Sequence, residues 1–209
     1  MKKYIIFDAD RTLVDSCDAV IFSLQEAIEN VLGIKIEESE LKRLTSLPSN
    51  QYLKSLNIKD DNIDLINKKW AQTYQKYETK CFKGLKEIIK DLSNKGYVIG
   101  IITSRDTEEY HELDSELEDI KDYIKIVVTS DLVELPKPSS DSMTYLCNKM
   151  NCSSDEVIYI GDSKSDMEFA KNSHCSFIPA CWENNELINV ENACFNTLDI
   201  VSLIEKDAY

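Results

Sequence analysis

Short runs of consecutive apolar residues alternate along this chain with longer stretches in which apolar residues recur every three or four positions. The runs at 4–7, 98–102, 123–128 and 156–160, with a weaker one at 175–178, are rich in β-branched residues and nearly continuous, with Lys125 and Glu156 their charged members. Strands covered on both faces in a parallel sheet read this way, whereas half-exposed strands alternate. Between the runs, Leu85, Ile88, Ile89 and Leu92 stand at i, i+3, i+4 and i+7, and Gly96 supplies the residue that closes such a helix. Residues 140–150 and 166–171 fit further crossovers. The alternation predicts a doubly wound α/β fold with a parallel sheet.

Residues 17–82 break the pattern. Ala19, Val20, Leu24, Ala27, Ile28 and Val31 mark an amphipathic helix ended by Gly33, and 37–44, 51–56 and 63–77 can form three more. A helical insertion directly after the first strand is either a cap over the sheet edge or a long first crossover. The cap reading divides the chain into a core of residues 1–14 and 83–209 and a helical cap of residues 15–82. No internal repeat and no low-complexity linker interrupts this plan.

Charge narrows the function. The 209 residues carry 38 acids and 24 bases, a formal net charge of −14, which argues against nucleic acid and against an anionic membrane surface. The segment 15–82 is nearly balanced, with 11 acids against 9 bases; the remainder holds 27 against 15. A small anionic substrate would meet repulsion at the core unless a bound cation and a few placed Lys, Ser or Thr groups offset it. Seven cysteines, with no Cys-x-x-Cys pair, read as reduced thiols of a cytoplasmic protein, and two histidines are too few for a zinc site. The start, MKKYIIFDAD, imitates a signal peptide, but Asp8 and Asp10 interrupt its apolar run, and no stretch approaches the ~20 apolar residues of a membrane span.

Four short motifs carry chemistry. Asp8-Ala9-Asp10-Arg11-Thr12 follows the first strand, so two carboxylates at one strand end can aim at one site, one as nucleophile and one for protons. Thr103-Ser104 ends the strand at 98–102, where a hydroxyl can bond a phosphoryl oxygen. Lys137-Pro138 follows the third strand, and Gly161-Asp162-Ser163-Lys164-Ser165-Asp166 the fourth, where two acids suit a hard cation. Each alone has a plainer reading as a turn, a helix cap or a solvated loop lysine. Together they fall at the carboxyl ends of parallel strands, where ligands bind open α/β sheets. Nucleophile, hydroxyl, cation and metal acids are what phosphoryl transfer requires.

Here the sequence resembles the haloacid dehalogenase superfamily, and within it the phosphoglycolate-phosphatase-like members with a helical cap. The resemblance rests on Phe7-Asp8-Ala9-Asp10-Arg11-Thr12-Leu13-Val14-Asp15-Ser16, Gly100-Ile101-Ile102-Thr103-Ser104, Lys137-Pro138 and Ile160-Gly161-Asp162-Ser163-Lys164-Ser165-Asp166-Met167, in that order over nearly the whole chain. It implies a Rossmann-like core and magnesium-dependent hydrolysis of a small phosphorylated metabolite. Asp8 would be the nucleophile and a metal ligand, and Asp10 the acid/base with its backbone carbonyl on the metal. Thr103, Ser104 and Lys137 would hold the phosphoryl group. Asp162 would ligate Mg2+ with Asp166 in support, in a monomer or homodimer.

Two departures matter. Arg11 stands where the family usually has Gly, so a left-handed backbone there would strain this residue, and its side chain could point toward the cap. The hexose phosphomutases of the family carry a cap-hinge histidine where this chain has Val20, which leans toward hydrolysis. A phosphomutase and a non-catalytic phosphate-binding regulator are the rival readings. Among plainer features, nine acids at 106–122 suit a solvated face of one helix at 106–117, with His111 exposed. His174 opens a strand. Trp70, Tyr74 and Tyr77 suit the core of the insertion more than a substrate wall, and the 46–49 loop could set specificity.

Overall fold

The computed structural model describes residues 2–44, 49–183 and 186–207. In chain order the elements are β1 (Tyr4–Phe7), β2 (Val14–Asp15), α1 (Cys17–Leu32), α2 (Glu38–Leu44), α3 (Ser49–Ser55), α4 (Asp60–Tyr74), β3 (Lys80–Cys81), α5 (Leu85–Asn94), β4 (Val98–Ile102), α6 (Thr107–His111), α7 (Asp114–Leu117), β5 (Ile124–Val128), α8 (Asp141–Met150), β6 (Val157–Gly161), α9 (Lys164–Asn172), β7 (Ser176–Pro179) and α10 (Ile200–Asp207).

Five strands form one parallel sheet in the order β5-β4-β1-β6-β7, with β1 in the middle between β4 (Tyr4 beside Val98) and β6 (Tyr4 beside Val157). The period of two along β1 divides its side chains between two cores. Ile5 and Phe7 join Ile99, Ile101, Ile158 and Ile160 beneath α5 and α10, whereas Tyr4 and Ile6 join Tyr159 beneath Met143 and Leu146 of α8 and Phe169 of α9. Every strand residue of β1 is therefore buried, which is why its sequence is continuous instead of alternating. At roughly 1.5–3 kcal/mol per fully buried large apolar side chain, this central strand anchors the site that follows it.

The helical insertion has a hydrophobic core of its own. Val20, Ile21, Leu24 and Ile28 of α1 pack with Ile63, Ile66, Trp70 and Tyr74 of α4. Two polar groups cross between α1 and α4 within that core: Trp70 Nε1 donates to Ser23 Oγ at 2.8 Å, and Thr73 Oγ1 donates to the Ser23 carbonyl at 2.9 Å. Its two chain crossings are tied into a short antiparallel ribbon, Val14 opposite Cys81 and Asp15 opposite Lys80, and Phe82 N–H donates to Leu13 O at 3.0 Å. Two-residue strands are too short to leave a periodic trace, and the sequence reading had none there.

Several boundaries differ from expectation. Three strands begin one residue later than read, at Ile124, Val157 and Ser176. His174 does not open β7; it is exposed in the turn before it, at φ 54°. Helix α4 ends at Tyr74, leaving Tyr77 beyond it. The helix expected at 106–117 is two short helices, because Glu112 and Leu113 turn inward instead of continuing a solvated face: Leu113 is fully buried and Glu112 bonds a buried arginine. Residues 46–48 of the proposed specificity loop lie outside the described residues. Among the described residues no helix is long and apolar enough to cross a membrane.

Candidate active site

The carboxyl ends of β1, β4, β5 and β6 deliver the four motifs to one cleft. Asp8 follows β1 immediately, and its backbone N–H donates to Ile160 O at 2.8 Å, so the nucleophile candidate is fixed by the sheet ladder itself. Its carboxylate is buried, 6% exposed, and Oδ1 accepts a bond from Lys137 Nζ at 2.7 Å. Lys137 sits at a cis peptide bond to Pro138 in the loop after β5, and is itself buried. Its other partners are Tyr159 Oη at 2.9 Å and Asp166 Oδ1 at 2.8 Å.

Asp166 is held from every side. Tyr159 Oη donates to Oδ1 at 2.9 Å, and Ser163 donates to Oδ2 through Oγ at 2.6 Å and backbone N–H at 3.1 Å. Ser163 in turn caps α9 by accepting the Asp166 N–H, a reciprocal capping box. The approach is so close that a Cβ on Gly161 would stand 2.5 Å from Asp166 Cγ, so only glycine fits there.

The carboxylates of Asp8, Asp162 and Asp166 come within 4.8 Å of one another, all buried. Burial drives Asp8 well above the usual carboxylate range, with Lys137 pulling it down and the Asp166 and Asp162 charges adding to the rise. Burial likewise pushes Asp162 up to about 7, against the opposing effect of Arg11 and with Asp166 adding to the rise. Asp166 is buried too, but Lys137, Ser163 and Tyr159 outweigh that and hold it low. Buried carboxylates that resist ionising side by side form an all-oxygen, anionic donor set, and such a set fits a hard divalent cation.

Asp10 takes a different direction. Arg105 grips it with two parallel bonds, Nε to Oδ2 and Nη2 to Oδ1, both 2.8 Å, and Ser16 Oγ donates to Oδ1 at 2.6 Å. Burial alone would raise its pKa, but Arg105 and Ser16 overcome it and the net shift is downward. Arg105 is 4% exposed and spends its remaining donors on Glu109 O (2.8 Å), Glu112 Oε2 (3.2 Å) and Tyr74 Oη (3.0 Å), with its guanidinium 4.9 Å from the Tyr74 ring centre. Arg105, Glu112 and Tyr159 were not singled out in the sequence. Of the three, only Tyr159 carried a local signal, a polar-tipped residue inside an otherwise aliphatic strand.

The remaining expected residues fall as follows. Ser104 lines the cleft, and Thr103 is buried beside it, its Oγ1 accepting the Arg105 N–H at 3.2 Å. Arg11 does adopt a left-handed backbone, φ 60°, and its guanidinium contacts Asp162, Nε to Oδ2 at 2.7 Å. The cleft encloses about 620 Å3 of empty space, part of it open to solvent. Its far wall comes from the helical insertion, with Val20, Tyr52 and Trp70 facing Asp8, Asp10 and Lys137. Trp70 and Tyr74 are buried in the insertion's core as expected, yet Trp70 also reaches the cleft.

Comparison with known proteins follows the same lines. The family model described as haloacid dehalogenase-like hydrolase matches residues 5–180. The chain is 25% identical to the pyrophosphatase PpaX of Bacillus velezensis, over 85% of this chain and 82% of that one. It is 22% identical to a phosphoglycolate phosphatase of Vibrio parahaemolyticus, over 97% and 95%. A solved hydrolase from Pseudomonas syringae superposes with a TM-score of 0.88 at 23% identity over the full length of both chains, a likeness of fold.

Proposed function

Since the chain belongs to the haloacid dehalogenase-like hydrolases, we propose that it is a magnesium-dependent phosphatase of small phosphate monoesters, working through an aspartyl-phosphate on Asp8. The observation that carries this reading is the buried Asp8 carboxylate at the end of the central strand, bonded to Lys137 and within 4.8 Å of the Asp162 and Asp166 oxygens. A carboxylate so placed can attack phosphorus, and the cations around it neutralise the phosphoryl oxygens.

Mg2+ would be held by Asp8, Asp162 and the Asp10 backbone carbonyl, and when bound it offsets charge on the phosphoryl oxygens. Asp166 has both oxygens engaged by Lys137, Tyr159 and Ser163, so its part is to fix Lys137 and the metal ligands in place. In the first step an Asp8 oxygen bonds to phosphorus as the ester P–O bond breaks, and the leaving oxygen takes a proton from Asp10. In the second step Asp10 takes a proton from water, whose oxygen displaces Asp8 from phosphorus and releases inorganic phosphate. Arg105 holds Asp10 ionised, the form the second step needs; the negative charge of an arriving phosphate raises its proton affinity for the first.

We read residues 15–82 as a cap. Its separate core and the β2–β3 joint at its two crossings support motion as a unit, which would admit a small ester and then exclude water. The reading is tested by a panel of phosphorylated metabolites, phosphoglycolate and pyrophosphate included, assayed with Mg2+ for the native protein and Asp8→Asn. Phosphate release from a small ester, abolished by Asp8→Asn and by chelator, is expected. Full activity in excess chelator, or faster release from a phosphoprotein than from every small ester, would sink it.

A further inference from the structure

Arg11 is out of place by two independent measures. Its backbone sits at φ 60°, where a side chain is strained and glycine is at ease, so something must hold an arginine there. Its side chain is also largely buried, 13% exposed, and directs both Nε and Nη2 at a single oxygen, Oδ2 of Asp162. Asp162 is nearly inaccessible, the carboxylates of Asp8 and Asp166 lie close to it, and Glu183 adds further negative charge. A fixed guanidinium there lies beside the acids assigned above to the metal and lines the same cleft.

We propose that Arg11 is a built-in counter-cation that opposes divalent-metal binding at Asp162, so that this site binds magnesium more weakly than its carboxylates alone would. The proposal rests on the metal-site reading above. Like charges in a buried, poorly screened site repel strongly, and that holds whether the ion displaces Arg11 or shares Asp162 with it. In the metal-free protein the guanidinium also offsets part of the cost of the buried Asp162 charge. A glycine at this position would relieve the backbone but remove this counter-charge from Asp162, while Lys137 would still pair with Asp8 and Asp166.

The alternative is that Arg11 orients Asp162 and thereby strengthens metal binding, which predicts the opposite sign. Equilibrium titration of the whole protein with Mg2+ by calorimetry separates the two, using native protein, Arg11→Gly and Arg11→Gln. The glutamine removes the charge without relieving the backbone; the glycine does both. Both variants should bind Mg2+ at least about tenfold more tightly than the native chain. In chelator both should melt below the native protein, and on adding Mg2+ both should gain more in melting temperature. Unchanged or weaker Mg2+ binding by Arg11→Gln would overturn the proposal, as would an absence of Mg2+ binding in all three proteins. Tighter binding by the variants, with a native protein that hydrolyses no ester on the panel, would leave this inference standing and remove the phosphatase reading instead.

Discussion

Two buried bases organise this site, and they are held in contrasting ways. Among the described residues Lys137 bonds to residues of the sheet and its crossovers: Asp8 after β1, Tyr159 of β6 and Asp166 of α9. Arg105 spans two parts of the molecule, joining Asp10 and Glu112 of the α/β core to Tyr74 on the last helix of the insertion. The first arrangement draws its partners from β1, β6 and the helix that follows β6. The second depends on where α4 sits, so a movement of the insertion would reach Asp10 through Arg105. The proposed nucleophile is thus positioned by the fold, and the proposed proton carrier by a contact between the fold and its insertion.

Substitutions should separate the two bases in order of severity. Lys137→Ala leaves Asp8 and Asp166 buried without their cation; breaking a buried pair from one side costs about 3–5 kcal/mol. Urea melts should show a loss of that size, and kcat should fall about 10²–10³-fold; a stable, active variant would contradict the clamp. Arg105→Met should cost less, because it frees Asp10 without removing it. The loss should reach at most about 10²-fold, within the usual worth of proton transfer, and be larger for an alkyl ester than for a nitrophenyl ester, whose leaving group needs no proton. Equal losses on both esters would show that Arg105 does not act through Asp10. Tyr74→Phe removes one hydrogen bond, worth about 0.5–1.5 kcal/mol, and should change activity only several-fold. No effect on turnover would detach the insertion from Asp10.

The smallest effect concerns Glu112. Burial pushes its carboxyl up to about 7, although Arg105 pulls the other way. The folded protein therefore binds the proton more readily than the unfolded chain, and this group's contribution falls as pH rises from the ordinary carboxylate range to about 7. Glu112→Gln should flatten the melting-temperature profile between pH 5 and pH 7, about the window that shift sets. Parallel profiles for the two proteins would rule this out.

The contrast also explains what was legible in the sequence. The sheet was readable because burial on both faces leaves continuous runs such as Ile5, Ile6 and Phe7, and Lys137, which alone reads as a solvated loop lysine, was readable only through its place in the order of the four motifs. Arg105 was not, since nothing local distinguishes an arginine folded back on Asp10 from a solvated one. Glu112 was read as part of a charged surface for the same reason: its turn inward depends on Arg105, seven residues earlier and meaningful only in three dimensions. Arg11 was noticed as a departure, with the strain that a left-handed backbone there would impose, but its partner Asp162 lies 151 positions away.

The central claim is that Asp8 carries the phosphoryl group and Asp10 moves the proton. Intact-mass measurement of Asp10→Asn with Mg2+ and nitrophenyl phosphate tests both together. The variant should release a burst near one equivalent of nitrophenol and then stall with about 80 Da added, the mass of one phosphoryl group on the nucleophile, while Asp8→Asn should show neither burst nor added mass. An Asp10→Asn protein that stays unmodified and turns over steadily, with nitrophenyl and alkyl esters slowed alike, would contradict the account.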